Sequence, residues 1–310
     1  MSKIKSPIIE NLEYFGMVIG VNILRLLPLQ AAYTLAEIAG KLIFIFDFLH
    51  SKRAIEHLLH AGVANDKASA TKIARATFVH AAKVAVDVIK FDQYITPENF
   101  SSHVKFIYRS NETEETFKNA KSFVFIGAHY GNWEIGGLGC SVLVRPILSI
   151  MRPFDNKKIG EYFISRRKLF KQEVCSKEAA ARPILKAIRD GKAVGILADQ
   201  HAGSSVGVET IFFGHPARTH TSPAILHLKT GAVLLFGVAK RIDDNFNYEF
   251  ILQGPFKLDK PSGNIDQDIK TLTQMFTSAI EEEIRRDPTQ WLWSHRRWLD
   301  LNRYGKRAKN

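Results

Sequence analysis

The stretch Ser122-Phe-Val-Phe-Ile-Gly-Ala-His-Tyr-Gly-Asn-Trp-Glu134 decides the fold. Its apolar run, Phe123 to Ile126, has the length of a buried strand. Gly127 and Gly131 loosen the backbone on either side of His129. The small-residue run Ile135-Gly-Gly-Leu-Gly-Cys140 then begins a helix. A strand that ends at a histidine and turns into a helix puts that histidine at the mouth of a sheet, where open α/β sheets bind ligands. Residues five apart on a straight helix sit roughly 140° from one another. With His129 in the turn and Glu134 on the first helical turn, however, the carboxylate can bend back to the imidazole. It would then fix the tautomer and raise the basicity of the other ring nitrogen.

Working outward, strands and helices alternate from Val104 onward. The pattern predicts strands over 104–108, 123–128, 147–151, 193–198, 233–240 and 248–253. Helices are predicted over 112–120, 134–143, 176–190, 223–231 and 265–286. Glu209–Phe213 reads as short and extended, with Gly214-His215-Pro216 as a turn. This alternation predicts an α/β fold with a mixed, mostly parallel sheet flanked by helices. The long helix carries Ile265, Ile269, Leu272, Phe276, Ile280 and Ile284 on one side.

The first 95 residues read differently. Helices over 8–29 and 31–49, broken at Pro28, and over 66–91 divide the chain into a helical, membrane-associating region (1–95) and an α/β catalytic domain (96–310). Tyr14 to Leu29 is apolar but interrupted by Asn22, Arg25 and Pro28, and Leu42 to Leu49 is a second apolar run. Together they read as an uncleaved anchor, either one marginal span or helices lying in the interface; the alternative is core helices of a soluble domain. Lys52 and Arg53 flank the second run, as basic residues do at a cytoplasmic end. His80, in the 66–91 helix, reads as a satisfied structural histidine.

Composition narrows the chemistry. The 310 residues can bury a sizeable core, and 43 Lys and Arg against 31 Asp and Glu give a net charge of +12, suited to an anionic partner. Cys140 and Cys175 show no C-x-x-C spacing, so neither a disulfide framework nor a zinc site is indicated, and a reducing compartment fits. A metal site built from His129, Glu134, Asp199, His201, His215 and His220 lacks any short ligand spacing. His215 and His220 read as turn residues. Residues 157–171 carry six Lys and Arg against Glu161 alone, which is a solvated face or an anion site after a strand end. Trp291, Trp293 and Trp298 with Arg296 and Arg297 read as C-terminal packing near lipid headgroups rather than a nucleic-acid surface.

Four blocks in this order carry a resemblance: G-A-H-Y-G-N-W-E (127–134); R-P at Arg152 with Arg166-Arg167-Lys168; A-D-Q (198–200) followed by F-F-G-H-P-A-R-T (212–219); and D-P-T-Q-W-L-W-S-H-R-R-W (287–298). Over nearly the whole chain the sequence resembles the bacterial lipid A biosynthesis acyltransferases, the lauroyl/myristoyl group, within the lysophospholipid acyltransferase superfamily. The resemblance implies a glycerol-3-phosphate acyltransferase-like fold and transfer of a fatty acyl chain from acyl-ACP or acyl-CoA to a hydroxyl of a membrane glycolipid. It implies His129 as general base and Glu134 as its orienting carboxylate. It also implies Asn132, Arg152, Arg166, Arg167, Asp199 and Gln200 as substrate-binding residues, with one arginine of the 166–167 pair matching a family position. No metal or other cofactor is required. Oxyanion donors would come from backbone N–H groups near Gly131 or from an arginine at 152 or 166.

His201 stands where the family often has an acidic residue, and related mannoside acyltransferases share H-x-G-N-W-E, so the motif defines chemistry better than acceptor. The expected partners are the acyl thioester, a glycolipid acceptor, above all a lipid A precursor, and the anionic surface of the bacterial inner membrane, with the site facing the cytoplasm and no nucleic acid. Two alternatives stand beside this reading: an acyltransferase for another phospholipid or glycolipid, and a non-catalytic basic lipid-binding protein.

Overall fold

The computed structural model describes residues 6–151, 153–176 and 180–298. Four helices come first: α1 (Pro7–Leu26), α2 (Leu29–Phe46), α3 (Phe48–His60) and α4 (Lys67–Tyr94). Pro28 separates the first two, as expected. Asp47, whose side chain accepts from the His50 N–H, ends the second and caps a third helix; the apolar pattern had joined only its first two residues to the second, and the rest of it was not expected. A reciprocal cap between Asp66 and Ser69 starts α4. Helices α2 and α4 approach closely where Gly40 faces α4: a Cβ there would lie 2.6 Å from the Val79 Cα.

The remainder is α5 (Phe100–His103), β1 (Val104–Tyr108), α6 (Asn111–Asn119), β2 (Phe123–Gly127), α7 (Trp133–Leu143), β3 (Ile147–Met151), α8 (Lys157–Lys168), β4 (Glu173–Ser176), α9 (Ala181–Arg189), β5 (Ala193–Leu197), β6 (Gly207–Phe212), β7 (His215–His220), α10 (Ser222–Thr230), β8 (Val233–Arg241), β9 (Tyr248–Gln253) and α11 (Ile265–Arg286). Seven strands form one sheet in the order β1-β9-β8-β2-β5-β3-β4, and every pairing is parallel except β8 with β9. The mixed, mostly parallel α/β architecture expected from the alternation is the one observed. Strand β4, only four residues long, was not expected. His215, Pro216 and His220 are not turn residues: they lie in β7, paired antiparallel with β6 around a turn at Phe213-Gly214.

Each face of the sheet takes alternate residues of its central strand. Val124 and Ile126 of β2 face a core shared with α9, α10 and α11, while Phe123 and Phe125 face a second core under α5, α6 and α7. That two-sided burial is why β2 reads as a continuous apolar run rather than an alternation. Ile265, at the exposed start of α11, lies off the buried stripe formed by Leu272, Phe276, Ile280 and Ile284.

Candidate active site

Strands β2 and β5 are parallel neighbours, with Gly127 opposite Leu197. The Ala198 N–H donates to the Gly127 carbonyl (3.1 Å) just past the ladder. Two residues beyond each partner come His129 and Asp199, so register alone sets them side by side. His129 Nδ1 lies 2.9 Å from Asp199 Oδ1, and the His129 backbone N–H donates to Oδ2 at 2.9 Å. The Trp291 indole N–H also donates to Oδ2, at 2.8 Å. The carboxylate is thus buried, 2% exposed, with three donors on it.

Burial favours the neutral acid, but the imidazole, the His129 N–H and the indole outweigh it and hold Asp199 well below the usual carboxylate range. Burial likewise pulls His129 down. The Asp199 charge and hydrogen bond, with Glu134 adding to them, outweigh burial and raise it above the ordinary histidine value. An ionised Asp199 fixes the tautomer: Nδ1–H donates, and Nε2 keeps its lone pair.

Glu134 does something else. It sits in the first turn of α7, and its carboxylate takes a two-pronged contact from Arg167, Nε to Oε2 at 2.8 Å and Nη2 to Oε1 at 2.7 Å. The expectation that Glu134 orients His129 is therefore corrected. Asp199, expected as a substrate-binding residue, is the carboxylate on Nδ1, and Glu134 belongs to an ion pair at the base of α7. Of the two adjacent arginines, Arg167 faces this site. Arg166 turns to Asp92 of α4, which Arg25 of α1 also holds, and so ties α8 to the N-terminal helices. Arg152 lies outside the described residues.

The turn between β2 and α7 is built into its surroundings. Gly131 has φ +60, and a Cβ there would fall 2.0 Å from the Ala239 carbonyl oxygen, so only glycine fits. The Gly131 N–H donates to the Gln290 carbonyl (3.0 Å) and the Asn132 N–H to the Ala239 carbonyl (2.7 Å). Both of these donors are spent, so neither the Gly131 nor the Asn132 N–H is left for the oxyanion that the sequence placed near Gly131. Asn132 is fully buried and is not placed to touch substrate. Its Oδ1 caps α7 through the Ile135 N–H (3.1 Å), and its Nδ2 donates to Asp87 of α4 (3.2 Å), which also receives the Tyr33 and Tyr248 hydroxyls and Arg241. His80, also on α4, lies 3.1 Å from the Gly131 carbonyl through Nε2.

The C-terminal segment seals the other side. Tyr130 bridges to Trp291, and the Leu292 N–H donates to the His129 carbonyl at 3.1 Å. Trp291, Trp293 and Trp298 are buried, as is Arg297, which donates to the carbonyls of Gln200 and Arg218 and to Thr219. These groups are core, not headgroup or nucleic-acid contacts; of the motif's two arginines only Arg296 is exposed. The same segment brings His295, whose ring centre lies 5.0 Å from that of His129. Gln200 Nε2 stands between them, 3.1 Å from His295 Nε2 and 3.4 Å from His129 Nε2. Burial first, then the neighbouring His129 charge, pulls His295 down to about 4. Neither Trp291 nor His295 could be assigned from spacing, because each lies more than 90 residues from the strand end it supports.

A cavity of about 140 Å³ opens beside the motif, walled by Trp133, Glu134 and Arg167 at the strand ends. It continues between α7 and the sheet past Gly136, Gly137 and Gly195 to Ile147 and Cys140. From Met151 to Ile147 the depth is roughly 13 Å at about 3.3 Å per strand residue. Burial pushes the Cys140 thiol up to about 12, so it is a wall residue and not a nucleophile.

The profile of the bacterial lipid A biosynthesis acyltransferases matches residues 3–300. Among curated relatives, the chain is 25% identical over 179 residues to the lipid A biosynthesis palmitoleoyltransferase of Escherichia coli (57% of this chain, 56% of that protein). It is 26% identical over 180 residues to the lipid A biosynthesis lauroyltransferase of the same organism (57% and 56%). It is 25% identical over 175 residues to a phosphatidylinositol mannoside acyltransferase of Mycobacterium tuberculosis (55% and 52%). The chain spans about half the length of the curated relatives it matches.

Proposed function

The chain belongs to the bacterial lipid A biosynthesis acyltransferase family, and from that premise we propose that it moves a fatty acyl chain from an acyl thioester to a hydroxyl of a membrane glycolipid, most directly a lipid A precursor. The observation that carries this reading is the His129–Asp199 pair at the ends of two adjacent parallel strands, beside an apolar cavity. A lipid hydroxyl is a weak nucleophile at neutral pH. His129 Nε2 takes its proton as the oxygen attacks the thioester carbonyl, and Asp199 holds the imidazolium that forms. The tetrahedral oxyanion then collapses, the carbon–sulfur bond breaks, and the thiolate leaves with the proton returned from His129.

The acyl chain lies in the cavity between α7 and the sheet. Oxyanion donors are the first-turn N–H groups of α7 at Trp133 and Glu134, which have no intrahelical carbonyl to bond, together with Arg167 at the cavity mouth. The donor thioester is carried by acyl carrier protein or coenzyme A. The +12 charge favours the anionic carrier and an anionic membrane surface alike.

Membrane attachment rests on an inverted amphipathic pattern. On α1, Ile8, Leu12, Phe15, Ile19, Ile23 and Leu26 form one stripe at helical spacing, and each is more than half exposed. Helix α2 is long and apolar enough to cross a membrane, and Phe46, Phe48 and Leu49 continue the exposed surface. An apolar stripe facing outward suits a bilayer interface. The site then lies on the cytoplasmic side of the inner membrane, where acyl thioesters are made.

The test is an assay with labelled acyl-ACP and acyl-CoA over a panel of lipid acceptors, comparing wild type with His129→Ala. Transfer to a lipid A precursor, absent in the variant, is expected. Transfer to a different lipid keeps the chemistry and replaces the acceptor. No turnover with any acceptor, while lipid binding persists, overturns the enzymatic reading in favour of a binding protein.

A further inference from the structure

A second cleft, of about 460 Å³, shares no lining residue with the acyl cavity. Its walls are Arg53 and His50 from α3, Gln200 and His201 after β5, and His295 and Arg296 from the C-terminal segment. Ser294 completes it, and its carbonyl accepts from Arg53 Nη1 at 2.9 Å. No carboxylate lines this cleft among the described residues. The nearby Asp47 is engaged by His50, 2.8 Å from its Nδ1. Arg53 is partly buried, and burial first, then the charge of Arg296, lowers its affinity for a proton. Two guanidiniums therefore share a cleft, close enough to repel; Asp47 and Glu56 offset part of that repulsion at Arg53, but among the described residues no acid lies in the lining itself. Folding alone gives no reason to hold like charges together; departures of this kind cluster at functional sites.

A guanidinium only donates, with five N–H groups in a planar fork that matches phosphate oxygens two at a time. Among the described residues Arg53 spends one on Ser294, and the others remain for a ligand. Such a cleft takes an oxyanion. Position indicates whose oxyanion it is. Exposed Phe46, Phe48 and Leu49 come just before His50 and Arg53 in the chain, so the cationic cleft lies beside the apolar surface of α2 and α3, where a bilayer's headgroups meet water. Gln200, which lines the cleft, reaches to 3.4 Å from His129 Nε2. Trp133, which lines the acyl cavity, has its ring centre 5.2 Å from that of His129.

We propose that the cleft between Arg53 and Arg296 seats a phosphate of the membrane lipid that accepts the acyl chain, placing its hydroxyl at His129. This rests on the acyl-transfer reading above and adds the acceptor's anchoring group. Arg53 and Arg296 are binding and positioning residues; neither touches the reacting atoms.

The test measures initial rates against each substrate for wild type, Arg296→Gln and Arg53→Gln, with Lys52→Gln as a control that removes the same charge from an exposed position on the same helix (side chain 76% exposed). Arg296 is exposed, so its variant folds even if loss of the Arg53 contact to Ser294 perturbs α3. For both arginine variants the acceptor KM is expected to rise about tenfold, the size of one charge-assisted contact, with the KM for the acyl thioester unchanged. A dephosphorylated acceptor should bring wild type down to the level of the variants and cost the variants nothing further. A rise in the thioester KM alone would put the donor's phosphate in the cleft and overturn the assignment. Equal effects from Lys52→Gln would reduce the cleft to general surface attraction and also overturn it.

Binding gives a reading independent of turnover. Wild type should prefer phosphatidylcholine vesicles doped with phosphatidate over vesicles doped with diacylglycerol, and Arg296→Gln should lose about tenfold of that preference. If wild type transfers no acyl chain to any acceptor, the catalytic reading fails while this binding difference still decides the phosphate seat. Absence of the difference removes the seat whatever the assay shows.

Discussion

His129 and Glu134 are five residues apart in the chain, yet each pairs with a partner much further away. His129 joins Asp199, 70 residues on, through strand register; Glu134 joins Arg167, 33 residues on, between the first turn of α7 and the last turn of α8. The two pairs differ in burial and in freedom. Asp199 is sealed under the C-terminal segment and saturated by three donors, whereas the Glu134–Arg167 pair lines an open cavity. A sealed carboxylate fixes one tautomer and one orientation. A carboxylate paired with a guanidinium at a cavity mouth holds a cation in place for a substrate. On the proposed reading, the first pair supports the general base and the second positions substrate.

The largest effect should come from breaking the sealed pair. Asp199→Asn keeps the shape but removes the charge that holds Nδ1 protonated, and kcat should fall about 10²–10³-fold. Circular dichroism of the variant should match wild type; a drop below tenfold would show that Asp199 is dispensable. At the open pair, Arg167→Lys keeps the charge but loses the two-pronged contact, so kcat/KM should fall about tenfold and lysine should not restore it. Full activity in Arg167→Lys would reduce this pair to simple charge balance.

Trp291→Phe removes one of the three donors from Asp199 while keeping the ring. It should cost about 1 kcal/mol of stability, read as a Tm lowered by about 2–4 °C. An unchanged Tm would mean that the indole N–H carries no weight in the seal. The smallest effect belongs to the cavity. In Gly136→Ala the new methyl meets the Ala239 Cβ at 3.5 Å, an ordinary contact, so the fold is kept and only cavity space is lost. Preference for the longer of two acyl chains should drop about fourfold, the worth of one buried methylene at about 0.8 kcal/mol. An unchanged preference would place the acyl chain elsewhere.

Much of this was legible in the residues. A continuous apolar run located the central strand β2, which is buried on both faces, helical periodicity located α11, and proline at 28 and glycine at 231 ended helices as those residues do. The H-x-G-N-W-E and A-D-Q blocks gave His129, Glu134 and Asp199 as candidates. Their pairing was not legible, because spacing along the chain speaks for helices, whereas the decisive contact runs between neighbouring strands, set by which strands pair and in what register. Asn132, which the resemblance implied as a substrate-binding residue, is consumed in a buried network with Asp87 and the cap of α7. The tryptophans near the C-terminus read as packing close to headgroups; the packing is there, and it closes the core over the turn at His129. Arg53, read as a flanking charge, and Arg296, read with its neighbour as a headgroup contact, meet only in three dimensions.

The most direct measurement is kcat against pH for wild type, Glu134→Gln and Asp199→Asn. A base must be unprotonated to act, so kcat falls as pH drops through the His129 pKa. In wild type the fall should lie above pH 6.5, the ordinary histidine value, because Asp199 raises it. Asp199→Asn should move the fall to lower pH, and Glu134→Gln should move it much less. The account is contradicted if Glu134→Gln displaces the acid limb while Asp199→Asn leaves it in place.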